Sequence, residues 1–134
     1  MNWKRFVVAL SINKICEQDM AAFSAADVNT LLNIVTNDVI VMPPNEPALF
    51  GKDAIRPWLE NFYKQFTVQG TCTSSDIVVA GDWAFERLTF TLTTTPVAGG
   101  EPVQEVAKGI HIYRRQSDGS WKIVQDIWNS VRYG

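Results

Sequence analysis

The first half of the chain carries two amphipathic helical patterns. In each, apolar residues recur every three or four positions, as they do on the buried face of a helix. The first pattern predicts a helix from about Phe6 to Ala25. The second predicts a helix after Gly51-Lys52-Asp53, with Asp53 as its N-cap. The two sets are Ile12, Ile15, Cys16, Met20 and Phe23, and Ile55, Trp58, Leu59, Phe62 and Phe66.

Between these patterns the chain predicts a short helix and a short strand. Asp27 is a candidate N-cap for a helix that contains Leu31, Leu32, Ile34 and Val35. Asn37-Asp38 should end it. Val39 to Met42 can then form a strand, which the following loop with three prolines stops, because proline cannot donate to a strand ladder.

After Gly70 the pattern changes to β. Gly81-Asp82 and Asp118-Gly119 are two hairpin signals flanked by alternating apolar residues. A two-residue loop at Gly81-Asp82 sets Asp76 opposite Arg87 and Val78 opposite Phe85. The predicted strands are Thr71 to Ala80, Trp83 to Thr95, Val103 to Arg115 and Trp121 to Ser130.

The second hairpin places the only histidine of the chain opposite a carboxylate. With a two-residue loop, His111 faces Asp126, Gly109 faces Trp128, and Tyr113 faces Val124 on the same side. The other side carries Ile110 opposite Ile127 and Arg114 opposite Ile123. A loop of three or five residues would instead set His111 opposite Gln125 or Ile127, since one residue of slippage moves the whole pairing.

Helices followed by an antiparallel meander predict an α+β fold of one domain over residues 1–134, with helices on one face of a curved sheet. The other face is also apolar, which predicts a partner subunit there. A net charge of −2 argues against nucleic acid. Without an apolar stretch of membrane-spanning length, we expect a soluble, cytoplasmic protein with no membrane contact. Cys16 and Cys72 are expected to be buried thiols.

Five stretches in this order resemble the nuclear-transport-factor-2-like (NTF2-like) superfamily, and within it the ketosteroid-isomerase-like and SnoaL-like (DUF4440) families. They are DVIVMPP from Asp38, GKDAIR from Gly51, GDWA from Gly81, Lys108-Gly109, and DGSWKIVQDIWNS from Asp118. The resemblance implies an NTF2-like cone, in which a curved sheet wraps around helices and encloses an apolar pocket. It also implies a homodimer formed through the sheet.

The resemblance further implies where a steroid isomerase would carry its catalytic groups. Its carboxylate base falls at Met42 or Pro43, neither of which can take a proton. Its oxyanion-hole tyrosine falls near Gln18 or Asp19, and its oxyanion-hole aspartate falls at His111. Trp128 matches an indole of the pocket wall. Without the base, steroid isomerisation by the family's mechanism is not expected.

These residues predict an acid/base site in a hydrophobic pocket. His111 supported by Asp126 is the candidate catalytic pair, because a carboxylate-oriented imidazole suits proton transfer near neutral pH. Asp19 is the third catalytic candidate. The candidate ligand-binding residues are Met42, Trp58, Phe62, Tyr113 and Trp128.

The predicted function is that of a small-molecule-binding protein, an isomerase, cyclase or hydro-lyase acting on a hydrophobic carbonyl compound without metal or cofactor. The alternative is a non-catalytic ligand-binding or dimerisation module of the same fold. In that case His111 and Asp126 only brace the sheet.

Overall fold

A computed structural model describes residues 3–133, except for the side chains of residues 74, 75, 132 and 133. It has three helices and six strands over this range, which confirms the predicted α+β class. The helices are α1 (Trp3–Ser24), α2 (Val28–Asn33) and α3 (Lys52–Gln65). The strands are β1 (Val35–Met42), β2 (Leu49–Phe50), β3 (Phe66–Ala80), β4 (Trp83–Pro96), β5 (Val103–Arg115) and β6 (Trp121–Tyr133).

The strands form one curved, open sheet in the order β2-β1-β6-β5-β4-β3. Four of them make the predicted antiparallel meander. The sheet is mixed, however, because β1 adds to the meander in parallel beside β6 and β2 adds antiparallel to β1. This arrangement places Val41 next to Asp126. The short strand before the proline loop therefore becomes one wall of the fold.

The helices cover one face of the sheet, and their apolar sides form the core with it. Ile12 of α1 and Val39 of β1 are fully buried, and so is Tyr113 of β5. Asp27 caps α2 as predicted, since its side chain accepts from the backbone N–H of Thr30. Burial of such side chains against the sheet is the main source of helix stability in a fold of this size.

Four predicted boundaries are wrong. Asn37-Asp38 does not separate a helix from a strand but lies inside β1, where the register with β6 shifts between Val35 and Ile40. Gly51, not Asp53, is the N-cap of α3, with a positive φ of 83° that suits glycine. Phe66 leaves the helical pattern and starts β3 in extended conformation. β6 runs past Ser130 to Tyr133.

The hairpin between β5 and β6 reaches the predicted central register by an unexpected route. Its turn is longer than two residues, because Arg115 pairs with Trp121 and the Gln116 N–H bonds the Ser120 carbonyl. A bulge in β6 then adds one residue between the partners of Tyr113 and those of Ile112.

The bulge restores the predicted pairs of His111 with Asp126, Gly109 with Trp128 and Ile110 with Ile127. Nearer the turn, the predicted pairs are wrong. Tyr113 pairs with Ile123 and Arg114 with Lys122. Ile123 therefore lies in the core with 1% of its surface exposed, rather than on the outer face.

The Gly81-Asp82 hairpin confirms its predicted register, with Asp76 opposite Arg87 and Val78 opposite Phe85. Asp76 and Arg87 form an ion pair on the surface. The face of the sheet turned away from the helices exposes several apolar side chains. Among them, Ile110 is 41% exposed and Ile127 is 45% exposed.

Candidate functional site

A cavity of about 110 Å³ lies between the helices and the concave face of the sheet. Its wall is apolar on most sides and includes Leu88 and Phe90 of β4, Trp58 of α3 and Trp128 of β6. Among the described residues that line it, three are polar, namely Asp19, His111 and Asp126. An apolar cavity with a few convergent polar groups is the usual form of a small-molecule site.

Strand pairing brings the polar residues of the cavity together. His111 and Asp126 are direct cross-strand partners in β5 and β6, and their side chains point toward the helices. Gly109, two residues before His111, lies opposite Trp128. A Cβ atom at Gly109 would fall 2.8 Å from Trp128 Cβ, so the absent side chain leaves room for the indole beside the imidazole.

The imidazole of His111 is 3% exposed and has a carboxylate at each ring nitrogen. Nε2 lies 3.2 Å from Asp126 Oδ1, and Nδ1 lies 3.4 Å from Glu86 Oε1. The phenol of Tyr113 lies between Glu86 and the Nδ1 atom of His111. It donates to Glu86 Oε1 over 2.9 Å, and its oxygen lies 3.2 Å from His111 Nδ1.

These surroundings favour a positively charged imidazole. Burial alone would lower the pKa of His111 by disfavouring charge. The charge and hydrogen bond of Asp126 and the hydrogen bond with Glu86 outweigh burial, so the pKa of His111 lies well above its usual range. Burial and the nearby charge of Glu86 also raise the pKa of Tyr113, which keeps its phenol protonated.

Asp19 of α1 also lines the cavity, close enough to His111 and Asp126 for their charges to interact. Burial raises the pKa of Asp19 to about 6. The charge of His111 offsets part of this effect, whereas the charges of Asp126 and Glu86 add to it. A carboxyl group with a pKa near 6 exchanges protons readily at neutral pH.

The cavity brings together five of the eight residues that the sequence singled out, which are Asp19, Trp58, His111, Asp126 and Trp128. The other three are not among the described residues that line it. Met42 follows the lining residue Val41, so alternation along β1 turns its side chain to the other face. Phe62 stacks behind Trp58 at 6.2 Å, and Tyr113 is fully buried behind His111.

Glu86 is the residue that sequence reasoning missed. It is fully buried, and its Oε2 atom has no hydrogen-bond partner among the described residues. A signal for it exists in β4, where the buried positions alternate from residue 84 to residue 92 and are apolar except at Glu86. A carboxylate inside such a row marks a buried polar site, because burial of an unpaired charge is costly.

Among residues 3–133 no group of three or more His, Cys, Asp and Glu side chains is arranged to hold a metal ion. In the same part of the chain, no helix has both the length and the apolar character needed to cross a membrane.

Comparison with known proteins finds a family and a set of similar structures. The sequence model of the SnoaL-like domain matches residues 17–125. A search of curated proteins finds no match. Three of the similar solved structures are all below 25% identity to this chain, so they show the fold alone.

A conserved protein from Planctomyces limnophilus is 23% identical, with a TM-score of 0.87 over 96% of this chain and 99% of that one. A ketosteroid isomerase-like protein from Erwinia carotovora is 22% identical, with a TM-score of 0.81 over 91% and 95%. A type 2 hexachlorocyclohexane dehydrochlorinase is 14% identical, with a TM-score of 0.87 over 100% and 94%. The shared architecture is that of the NTF2-like cone.

Proposed function

The chain belongs to the SnoaL-like domain family, and from this premise we propose that it is an enzyme that transfers a proton on a small hydrophobic carbonyl compound. One observation carries the proposal. A carboxyl group and an imidazole, those of Asp19 and His111, line a mostly apolar cavity and are close enough for their charges to interact. Such a cavity admits an apolar ring and aligns one polar group with the acid/base residues.

The electrostatics divide the roles between the two residues. His111 is protonated at neutral pH, so it donates a hydrogen bond to the carbonyl oxygen and does not accept a proton. Asp19, with a pKa of about 6, is mostly ionised at pH 7 and accepts the proton. The Nε2–H is the one that reaches the substrate, shared between the carbonyl oxygen and Asp126 Oδ1 3.2 Å away, because Nδ1 faces Glu86 and Tyr113.

The proposed step is the removal of a proton next to the carbonyl group. The C–H bond breaks, Asp19 takes the proton, and the electron pair forms the enolate, whose oxygen accepts a hydrogen bond from His111. An isomerase returns the proton at another carbon. A hydro-lyase instead expels a β-hydroxyl group, which leaves as water with a proton from the site. The dehydrochlorinase of the same fold is named for an elimination, which supports the second course.

The cavity holds about one ring of a substrate. Its volume of about 110 Å³ is of the same order as the roughly 150 Å³ of an apolar cavity known to bind benzene, and it is partly open to solvent, so that a single ring with one polar group can enter. A tetracyclic steroid is far larger. The missing carboxylate at Met42 and Pro43 points the same way.

Two small compounds test the proposal with one readout. Dehydration of 3-hydroxycyclohexanone and isomerisation of 3-cyclohexenone both give 2-cyclohexenone, which absorbs in the ultraviolet. We expect turnover of one or both, lost in Asp19→Asn and His111→Gln and kept in Glu17→Gln, an exposed acid of the same helix. Equal rates in all four proteins would contradict the proposal.

One observation favours the non-catalytic alternative, a ligand-binding module. Both ring nitrogens of His111 already have partners, and only 3% of the residue is exposed. Under this alternative the His111→Gln variant binds cyclohexanone as the wild type does, and no variant has turnover. Isothermal titration with cyclohexanone, beside the turnover assay, separates the two functions.

We also propose that the chain forms a homodimer in the cytoplasm. The exposed apolar face of the sheet supports the dimer. Ile110 and Ile127 are cross-strand partners on this face, so their exposed side chains adjoin each other and form part of an apolar patch. Such a patch marks an interaction surface, whereas a single exposed apolar side chain does not.

A further inference from the structure

Glu86 lies deeper in the molecule than the residues that line the cavity. It is fully buried on β4, directly opposite His111 of β5. Its Oε1 atom accepts a hydrogen bond from the Tyr113 hydroxyl group and lies 3.4 Å from His111 Nδ1. Neither Glu86 nor Tyr113 is among the described residues that line the cavity. The Nδ1 edge of the imidazole therefore faces the core, whereas the Nε2 edge faces Asp126 and the cavity.

The hydrogen bonds around Nδ1 decide where a proton must lie. The phenol of Tyr113 has one proton and donates it to Glu86, so its oxygen can only accept from His111. Glu86 is also an acceptor. A bare Nδ1 would then face two acceptors and no donor, which is unfavourable in a buried site. Nδ1 must carry a proton.

From this geometry we propose that Glu86 is a positioning residue that holds the Nδ1–H of His111, so that Nε2–H alone is left to donate a hydrogen bond to a bound molecule. The proposal rests on the acid/base function of His111 described above. It adds a residue that never touches the substrate and acts through the imidazole. Replacing Glu86 changes the charge state of His111 without altering the cavity wall.

The groups that face His111 come from four elements. They are Asp19 of α1, Glu86 of β4, Tyr113 of β5 and Asp126 of β6, and Cys16 of α1 lies near Tyr113 and Glu86 behind them. Burial raises the pKa of Cys16 far above its usual range, and Tyr113 is held protonated as well. Three carboxyl groups thus act on the charge of one imidazole, and each can be neutralised separately as its amide.

The single histidine makes the experiment direct. A ¹⁵N-labelled protein gives one imidazole signal set in a long-range ¹H–¹⁵N NMR spectrum, without assignment and without substrate. We expect both ring nitrogens of the wild type to be protonated at pH 7. In Glu86→Gln the pKa of His111 falls by about 1 or more, because an opposite charge at this distance is removed. Glu86→Asp keeps the charge and restores most of the pKa.

Two outcomes overturn the inference. One is a neutral wild-type imidazole protonated only on Nε2 at pH 7, a measurement that needs no variant and stands even if Glu86→Gln does not fold. The other is an unchanged His111 pKa in a folded Glu86→Gln protein, with the whole effect appearing in Asp126→Asn.

Steady-state kinetics, measured with a ketone that the protein turns over, then separate this inference from the proposed function. We expect Glu86→Gln to move the alkaline limb of the kcat profile to lower pH by the amount measured for His111, with KM little changed. A brace of the sheet alone would leave that limb in place, which overturns the inference. If no compound is turned over while the NMR result holds, the proposed function fails and the positioning of the imidazole by Glu86 stands.

Discussion

Replacement of Asp19 by asparagine should stabilise the protein at neutral pH while it abolishes activity. The native protein holds this carboxyl group where its charge is unfavourable, which raises its pKa from an ordinary 3.8 to about 6. The unfolded chain therefore releases the Asp19 proton first as the pH rises, and the folded state loses stability between these two values. At 1.36 kcal/mol per pH unit the loss approaches about 3 kcal/mol above pH 6.

The assay is urea unfolding followed by tryptophan fluorescence, at several pH values from 4.5 to 8. An amide does not titrate, so Asp19→Asn escapes the loss. Its free energy of unfolding relative to wild type should rise by about 2 kcal/mol across this range, since part of the effect is already present at pH 4.5. Any change in the free energy of unfolding that burial of the amide causes is the same at every pH, so it cancels when the difference between the two proteins is compared across pH.

Glu17→Gln makes the same chemical change at an exposed position of α1 and serves as the control. Its stability relative to wild type should stay within about 0.5 kcal/mol at every pH. A pH-independent difference for Asp19→Asn, or one that falls as the pH rises, would refute the reasoning. It would mean that Asp19 is solvated and that the acid/base roles assigned in the cavity are wrong.

Two further changes test the packing and the assembly. Gly109→Ala should destabilise the protein by about 1–3 kcal/mol, measured by urea unfolding. The added Cβ would overlap the Ile127 carbonyl oxygen and lie 2.8 Å from Trp128 Cβ. Unchanged stability would show that the indole of Trp128 is not held against this glycine. Ile127→Lys should convert the dimer into monomers, as measured by sedimentation velocity. Val97→Lys is the control, because it makes the same kind of change at a residue that follows β4 and is 58% exposed, and it should leave the dimer intact. A monomeric wild-type protein would contradict the proposed dimer.

Local patterns predicted much of this fold because its hairpins are short-range features. Gly81-Asp82 set the register of β3 and β4 correctly, since a two-residue turn leaves no freedom between the strands. Asp27 was recognised as a cap from one side chain and its position. The parallel pairing of β1 with β6 could not be predicted in this way, because it joins residues far apart in sequence.

The His111–Asp126 pair was predicted correctly for an incomplete reason. The turn is longer than assumed, which would have moved the pairing by one residue, and the bulge in β6 moves it back. A longer turn and a bulge each shift the register by one residue, and here the two shifts cancel. A prediction that assumed neither feature therefore gave the same pairs. Ile123, which lies between the turn and the bulge, shows the difference by facing the core.

Glu86 shows the limit of judging residues by type. A charged residue in a strand is usually exposed, so residue type alone does not tell which of Glu86 and Arg87 faces outward. Only the alternation of the whole strand, with Ala84 and Leu88 buried on the same side, identifies Glu86 as the buried one. The acid/base cluster around His111 is built from three strands and a helix. Its members meet only after the sheet has formed.

The central claim is that Asp19 removes a proton from a carbonyl compound held against His111. Deuterium uptake from D₂O measures that step without knowledge of the final product. Cyclohexanone is incubated with the protein and its α-protons are followed by ¹H NMR. We predict that the wild type and Glu17→Gln accelerate exchange and that Asp19→Asn and His111→Gln do not. Exchange at the buffer rate in every protein, with cyclohexanone shown to be bound, would contradict the account.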